Sequence, residues 1–380
     1  MNKSILTLLV WMGFVQTNGW AQTLLLSLKD LPNGISAEQV FVAGNFNGWN
    51  PKDSNYRFNN QGELRIQATA AALLEFKCTL GSWEKVECTS NGAGINNRII
   101  KLLKDTSVTI RIESFQHLHA GKPIVSTASA NVHVLPAAVQ RKEESKTIRL
   151  YLPPDYTQGT NKYPVLYMMD GQNLFDVTTG SFGEWQVDEV LDSIFLATGK
   201  SMIVVGIDHA GPVRMNEYNP YNHPRFGKAD GRAFVQWITD TLKPWVDAQY
   251  RTNSKASHTW IAGSSMGGLI STQALLQAPQ QFAGAGIFSP AYWTAPEIFN
   301  AANAQPSAFR KKRLFFYAGG MEGESMVPDM QRMAALAKKG KPRSFVEIIS
   351  PEAQHNEAAW RKQLPSFFSY LLRLGGAANK

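Results

Sequence analysis

The chain has 380 residues, of which 44% are apolar and 18% charged, and it carries a net charge of +8 at neutral pH. That length supports two domains and a large core, and the apolar share is that of a globular protein. Beyond the first 21 residues no segment comes near the length of apolar chain that a membrane-spanning helix needs, which excludes an integral membrane protein of the helical kind.

Residues 1–21 read as a signal peptide. Lys3 supplies the positive start, residues 5–15 an apolar stretch too short to span comfortably, and Gly19-Trp20-Ala21 small residues for cleavage. No Cys lies near that point, so a lipid anchor is not expected. The mature chain should be exported, to the periplasm or beyond, and start near Gln22.

Residues 22–120 read as a domain of short strands, at 23–28, 40–43, 63–68, 73–79, 85–88, 99–103 and 107–112. Asn33-Gly34, Asn47-Gly48 and Asn91-Gly92 mark the turns. The pattern predicts a small, immunoglobulin-like β-sandwich. Cys78 and Cys88, the only cysteines, flank a hairpin tip at Gly81-Ser82-Trp83. An oxidising compartment would permit a disulfide. The alternative is two buried thiols on strands that do not face each other, and register decides between them. Residues 121–130 are small and polar and read as a linker.

From 131 to 380 strands and helices alternate. Strands are expected at 132–135, 146–152, 164–169, 202–207, 258–262, 284–288, 314–318 and 344–349. Helices are expected at 184–196, 231–248, 267–277, 328–338 and 356–372. This order predicts an α/β domain with a mostly parallel sheet covered by helices on both faces. Two dense basic clusters, Arg310-Lys311-Lys312-Arg313 and Lys338-Lys339 with Lys341 and Arg343, each precede a strand. In such a sheet the active site lies at the carboxyl ends of the strands. The clusters therefore belong to the opposite face and read as solvated surface, so a nucleic-acid partner is not expected.

Gly263-Ser264-Ser265-Met266-Gly267-Gly268 joins the strand at 258–262 to the helix at 267–277. G-x-S-x-G in that setting is a nucleophile elbow. The turn is sharp, side chains at 263 and 267 would collide with strand and helix, and the Ser265 hydroxyl is held clear of the backbone. On such a sheet the acid and then the base follow the serine in chain order. Of seven histidines only His355 lies downstream, in the loop after the last strand. The acid should follow the strand at 314–318, where Glu322 and Glu324 are the candidates. Glu322 is preferred because it sits closer to the strand end. Asp329 falls inside the next helix. The backbone N–H of Met266 and that of Gln172, in the loop after residues 164–169, are the candidate oxyanion donors. No paired-His spacing suggests a metal, and no cofactor is expected.

Several stretches resemble the putative-esterase family of α/β-hydrolases, which includes feruloyl, acetylxylan and trilactone-siderophore esterases and relatives of S-formylglutathione hydrolase. They are Arg149-Leu150-Tyr151-Leu152-Pro153-Pro154, Asp170-Gly171-Gln172-Asn173-Leu174-Phe175, Trp185-x-Val187-Asp188-Glu189, Arg214-x-x-Glu217-Tyr218, the elbow itself, and Phe288-Ser289-Pro290-Ala291-Tyr292-Trp293. The resemblance covers about residues 131–375. It implies a serine esterase with Ser265, His355 and an acid at Glu322, where many relatives carry Asp. Substrate contacts are expected from residues 209–228 and from Tyr292 and Trp293 as an aromatic wall. Arg214 would meet an acidic or catecholate substrate, or pair with Glu217. The stretch from Val40 through Trp49 to Pro51, with Phe76-Lys77 and Gly81-Ser82-Trp83-Glu84, is similar to starch- and glycogen-binding modules. That likeness implies Trp49 and Trp83 as sugar-stacking platforms beside Lys77, or a module that only braces the hydrolase. The expected function is hydrolysis of glycan or siderophore-type esters. An acyltransferase of the same chemistry and a non-catalytic glycan-binding protein are the alternatives.

Overall fold

A computed structural model of the chain describes residues 21–69, 72–95, 97–119, 125–180 and 183–374. The expected signal peptide, Ala21 apart, lies outside the described residues, as do residues 121–124 of the expected linker. Two compact units emerge. One takes the chain up to Lys85 together with Arg98–Ile112, the other Val86–Asn97 and everything from Glu113.

Among its described residues the first unit is all β apart from single 3-10 turns. Ala21–Asp30, Glu63–Thr69 and Thr106–Arg111 form one three-stranded sheet, and Phe41–Gly44, Ala72–Thr79 and Arg98–Leu102 another. Alternate side chains turn inward. Leu24, Leu26, Ile66, Leu74 and Phe76 are buried. Ala21–Asp30 runs parallel to Thr106–Arg111, so this sheet is mixed. The sequence pattern assigned residues 22–120 to one domain, but 86–97 and 113–119 group with the second unit. There, Glu87–Cys88 and Ser114–Phe115 pair as two short strands. Cys78 and Cys88 are both buried, one in each unit, and no disulfide joins them.

The second unit is built on an eight-stranded sheet. Its strands are β1 (Val132–Arg141), β2 (Glu144–Tyr151), β3 (Val165–Met169), β4 (Ile203–Ile207), β5 (Thr259–Ser264), β6 (Gly284–Phe288), β7 (Arg313–Gly319) and β8 (Ser344–Ser350), in spatial order 1-2-4-3-5-6-7-8. β1 and β2 are antiparallel, and β4, β3, β5, β6, β7 and β8 run parallel. Strands β3 to β7 are buried at every position, because helices cover both faces. One face packs against helices α2 (Gly231–Trp237), α3 (Lys243–Gln249), α4 (Met266–Gln277), α5 (Glu297–Ala304) and α6 (Met326–Lys339). The other packs against α1 (Val187–Thr198), α7 (Glu357–Arg361) and α8 (Leu364–Leu372).

Three departures from the expected boundaries lie at prolines. The helix expected at 231–248 contains a π turn, Ile238–Leu242, just before Pro244. Pro244 has no N–H for the carbonyl one turn back, and its ring would crowd that carbonyl, so the helix widens there. The helix expected at 356–372 splits in two, with Pro365 in the first turn of α8. β1 continues past Pro136 to Arg141, which the sheet tolerates because β1 is its edge strand.

The segment from 209 to 228 is tied to the β1–β2 hairpin by charge. Glu217 Oε1 lies 3.2 Å from Arg141 Nη1 and 2.5 Å from Lys146 Nζ, and Asp230 takes Arg141 Nη2 at 2.5 Å. Glu217 is buried, and its second oxygen accepts the Ala210 N–H. Removing one member of such a group strands the others without water. Glu217→Gln should therefore lower unfolding free energy by about 3 kcal/mol, read as a lower urea midpoint at unchanged slope.

Candidate functional site

β5 ends at Ser264, and Ser265 stands alone between it and α4. Its backbone has φ 57° and ψ −120°, a left-handed region that non-glycine residues seldom occupy. Residues 259–264 and 266–276 are all buried, and Ser265 between them is half-buried. Its N–H donates to Phe288 O at 3.0 Å and its carbonyl accepts from Ala291 N at 3.0 Å. The neighbouring glycines are there for space. A Cβ on Gly263 would sit 2.8 Å from the backbone carbon of Gly267, and one on Gly267 would sit 3.0 Å from Met169 Cβ. Met266 opens α4, so its N–H has no carbonyl one turn back to bond. The positive end of the helix dipole lies at the same point.

β3, the neighbour of β5, ends in a 3-10 turn, Gly171–Asn173. The bonds of that turn run from Asn173 N to Asp170 O and from Leu174 N to Gly171 O, which leaves the Gln172 N–H outside it. The Gln172 side chain accepts the His209 N–H at 3.1 Å, and its carbonyl accepts the Thr179 hydroxyl at 2.7 Å.

The loops after β7 and β8 bring Glu322 and His355 together. His355 Nδ1 lies 2.7 Å from Glu322 Oε2. The Glu322 carboxylate has no exposed surface, whereas the His355 side chain is 32% exposed. Oε1 accepts the Gly319 N–H at 2.6 Å and the Ser289 hydroxyl at 2.7 Å. Gly320 N to Ser350 O, at 2.8 Å, and Met321 N to Ala353 O, at 3.0 Å, stitch the two loops together. A Cβ on Gly319 would lie 2.3 Å from Ala353 O, so no larger residue allows this approach. Glu324, the other acid candidate, is exposed, and Asp329 lies in α6. An imidazole whose Nδ1–H is held by a carboxylate leaves Nε2 as a proton acceptor.

Two residues that the sequence reading did not single out complete this network. Ser289 follows Phe288, the partner of Ser265, and holds φ 42°. Its hydroxyl receives the Trp360 indole N–H at 2.9 Å. The Trp360 ring stands edge-on to the His355 ring, with centroids 5.0 Å apart. Ser289 thus connects the strand beside Ser265 to Glu322, and Trp360 touches both Ser289 and His355. The only signal in the sequence was the Phe288-Ser289-Pro290 string; nothing marked Trp360 among ten tryptophans.

Three candidate substrate contacts fall out differently. Tyr292 is fully buried, with its hydroxyl 2.7 Å from that of Thr272 on α4. It belongs to the core beneath the elbow helix, not to an aromatic wall, because its phenol is satisfied there. Trp293 is 51% exposed, and its ring lies 6.4 Å from that of Phe226. Arg214 pairs with Asp170, Nε to Oδ1 at 2.6 Å and Nη2 to Oδ2 at 2.7 Å, not with Glu217. Burial works against the guanidinium charge, but Asp170 more than offsets it and holds the pKa above the ordinary value. The guanidinium anchors the 209–228 segment to the end of β3. Among the described residues no group of three or more His, Cys, Asp and Glu is placed to hold a metal ion.

In the first unit, Trp49 and Trp83 lie side by side, with ring centroids 6.3 Å apart and planes inclined by 38°. Trp83 is 41% exposed, and Trp49 and Lys77 are half-buried.

The family described as Esterase (putative esterase) matches residues 140–371. The uncharacterised protein YbbA of Bacillus subtilis is 26% identical over 252 residues, 61% of this chain and 94% of its own. An endo-1,4-β-xylanase/feruloyl esterase of Xylanibacter ruminicola is 23% identical over 233 residues, 60% of this chain but only 29% of its own. Among solved structures, the enterobactin esterase FES of Shigella flexneri superposes with a TM-score of 0.57 at 15% identity, over 89% of this chain and 88% of its own.

The crowding at the elbow gives a direct test. Gly263→Ala should cost about 1–3 kcal/mol, through a Cβ forced against the Gly267 backbone, and should lower the thermal midpoint.

Proposed function

The chain belongs to the putative-esterase family and is a serine-type carboxylic ester hydrolase, and from that premise we propose that Ser265, His355 and Glu322 form its catalytic triad. The observation that carries this reading is the 2.7 Å contact between His355 Nδ1 and a Glu322 carboxylate with no exposed surface. The acid's other oxygen is held by Ser289, next in the chain to the partner of Ser265.

His355 Nε2 takes the Ser265 proton as Oγ attacks the ester carbonyl carbon. Glu322 fixes the tautomer and stabilises the imidazolium. The N–H groups of Met266 and Gln172 receive the developing oxyanion. The C–O bond then breaks, and the alcohol leaves with the proton from His355. Water, deprotonated by the same imidazole, attacks the acyl-enzyme and releases the acid. Nothing in these steps draws on a metal or cofactor.

Trp293 and Phe226 offer an apolar wall beside the elbow, suited to an aromatic or sugar-linked ester. The names of two relatives, a xylanase/feruloyl esterase and an enterobactin esterase, point the same way. A panel of feruloyl and acetyl xylan, a trilactone siderophore and short acyl esters ranks these by kcat/KM, and loss of preference in Trp293→Ala ties the choice to this wall. Adding glycerol as a competing acceptor separates hydrolysis from acyl transfer.

A second reading concerns the first unit. Its paired indoles, one of them exposed, suit the apolar face of a sugar ring. Retention on insoluble starch or xylan should fall in Trp83→Ala, and equal retention of the two proteins removes the reading.

Ser265→Ala should abolish hydrolysis of p-nitrophenyl acetate, and activity in that variant would sink the triad. Glu322→Gln should lower kcat by up to about 10⁴-fold through the wrong imidazole tautomer. Glu324→Gln should stay near wild type. Comparable losses in the two would move the acid away from Glu322.

A further inference from the structure

The amino ends of the parallel strands carry a feature that ester cleavage does not use. The first basic cluster of the sequence meets Arg343 of the second there, together with Arg373, which follows α8. A cavity of about 170 Å³ is lined by Arg310, Lys311, Lys312, Arg313, Arg343 and Arg373. Its remaining lining is Ala256, Ser257, Phe282 and Ala283, so among the described residues no carboxylate faces it. A second cavity of about 600 Å³ shares Ser257, Arg313 and Arg373 with the first. It adds Lys162, Lys200 and His258, against one carboxylate, Asp155. Among the described residues no ion pair reaches any of the six cations of the smaller cavity.

A merely solvated surface keeps its cations apart or mixed with acids. Here the fold does the opposite. Arg313 is buried at the start of β7, stacked over the Trp260 and Tyr370 rings and bonded to the carbonyls of Tyr370 and Leu371. Lys312 is half-buried, its ammonium donating to the carbonyls of Pro279 and Phe282. Burial pushes the pKa of both below the ordinary values, and Arg343 and Arg373 push Arg313 further the same way. The exposed rim, Arg310, Lys311, Arg343 and Arg373, adds unpaired charge around that fixed floor. An anion bound there would relieve repulsion that the folded chain otherwise carries.

We propose that these two adjoining cavities together make a second binding site, for a ligand bearing at least two phosphate groups. The smaller cavity has room for one phosphate and the larger for the body of the ligand. Guanidinium forks suit phosphate oxygens. The site sits at the opposite end of β5 from Ser265, roughly 20 Å away for a six-residue strand. Occupancy leaves the ester site open. The proposal does not depend on the esterase reading.

Titration calorimetry of the full chain with sodium tripolyphosphate, at roughly 0.15 M ionic strength, tests it. Binding should be at least about tenfold weaker in Arg310→Gln/Arg343→Gln, whose two exposed side chains carry no structural bond, and should fall as salt rises. Near-UV circular dichroism checks that the variant is folded. No binding by the wild type, or equal binding by wild type and a folded variant, overturns the proposal. Sedimentation with phosphatidylglycerol or phosphatidylcholine vesicles identifies the source of the phosphates. Anionic-only capture that the variant loses assigns a lipid surface, and tripolyphosphate binding without capture assigns a soluble ligand.

Discussion

A carboxylate removed from water costs several kcal/mol unless donors surround it. Glu322 has no exposed surface, and what lies around it can be understood as the answer to that cost. Three donors meet its two oxygens: the Gly319 amide, the Ser289 hydroxyl and the His355 imidazole. Each makes a demand of its own. The amide needs a loop that turns back at Gly319. The hydroxyl needs Ser289 in a left-handed conformation at the end of β6, with Trp360 holding it from the far side. The imidazole needs the loop after β8 pressed against the loop after β7, which glycine at 319 and 320 permits. Three strand ends and one helix are thereby fixed relative to one carboxylate, and the same strand end, β6, also holds the Ser265 amide. The geometry around the serine is set by satisfying a buried charge.

What the sequence made legible was local or ordered along the chain. The elbow was readable because a strand, a small-residue turn and a helix must follow one another there. His355 was the candidate base because one histidine lies downstream of Ser265, and the fold sets it against Glu322. Between Glu322 and Glu324, proximity to the strand end favoured the residue that the fold buries. What stayed hidden depends on contacts made far along the chain. Tyr292 and Trp293 are adjacent, yet one phenol turns under α4 and the other ring faces solvent. Arg214 had two nearby acids to choose from in space, and Asp170, 44 residues upstream, holds it. The membership of residues 86–97 follows from their pairing with 114–115, which no local pattern reports. The helix breaks before Pro244 and Pro365 were visible in principle, since their cause is a missing N–H.

Charge is distributed along the strand axis. At the carboxyl ends three carboxylates each meet a donor: Asp170 meets Arg214, Asp208 meets Arg149 and Glu322 meets His355. The amino ends hold cations in excess. The net charge of +8 is thus partly gathered at one pole of the domain rather than spread evenly.

The segment from 209 to 228 is pinned at its base by Arg214 to Asp170 and by Glu217 to Arg141 and Lys146. Its more distal residues, Phe226 among them, are held mainly by backbone and asparagine bonds such as His223 to Gly227 and Asn222 to Ala229. None of these anchors belongs to the group that holds His355 and Glu322. Residues near the tip can therefore be exchanged without moving Glu322 or His355. Substitution there meets few of the constraints that fix Glu322 and His355, so that stretch of chain is free to drift while the buried contacts stay put.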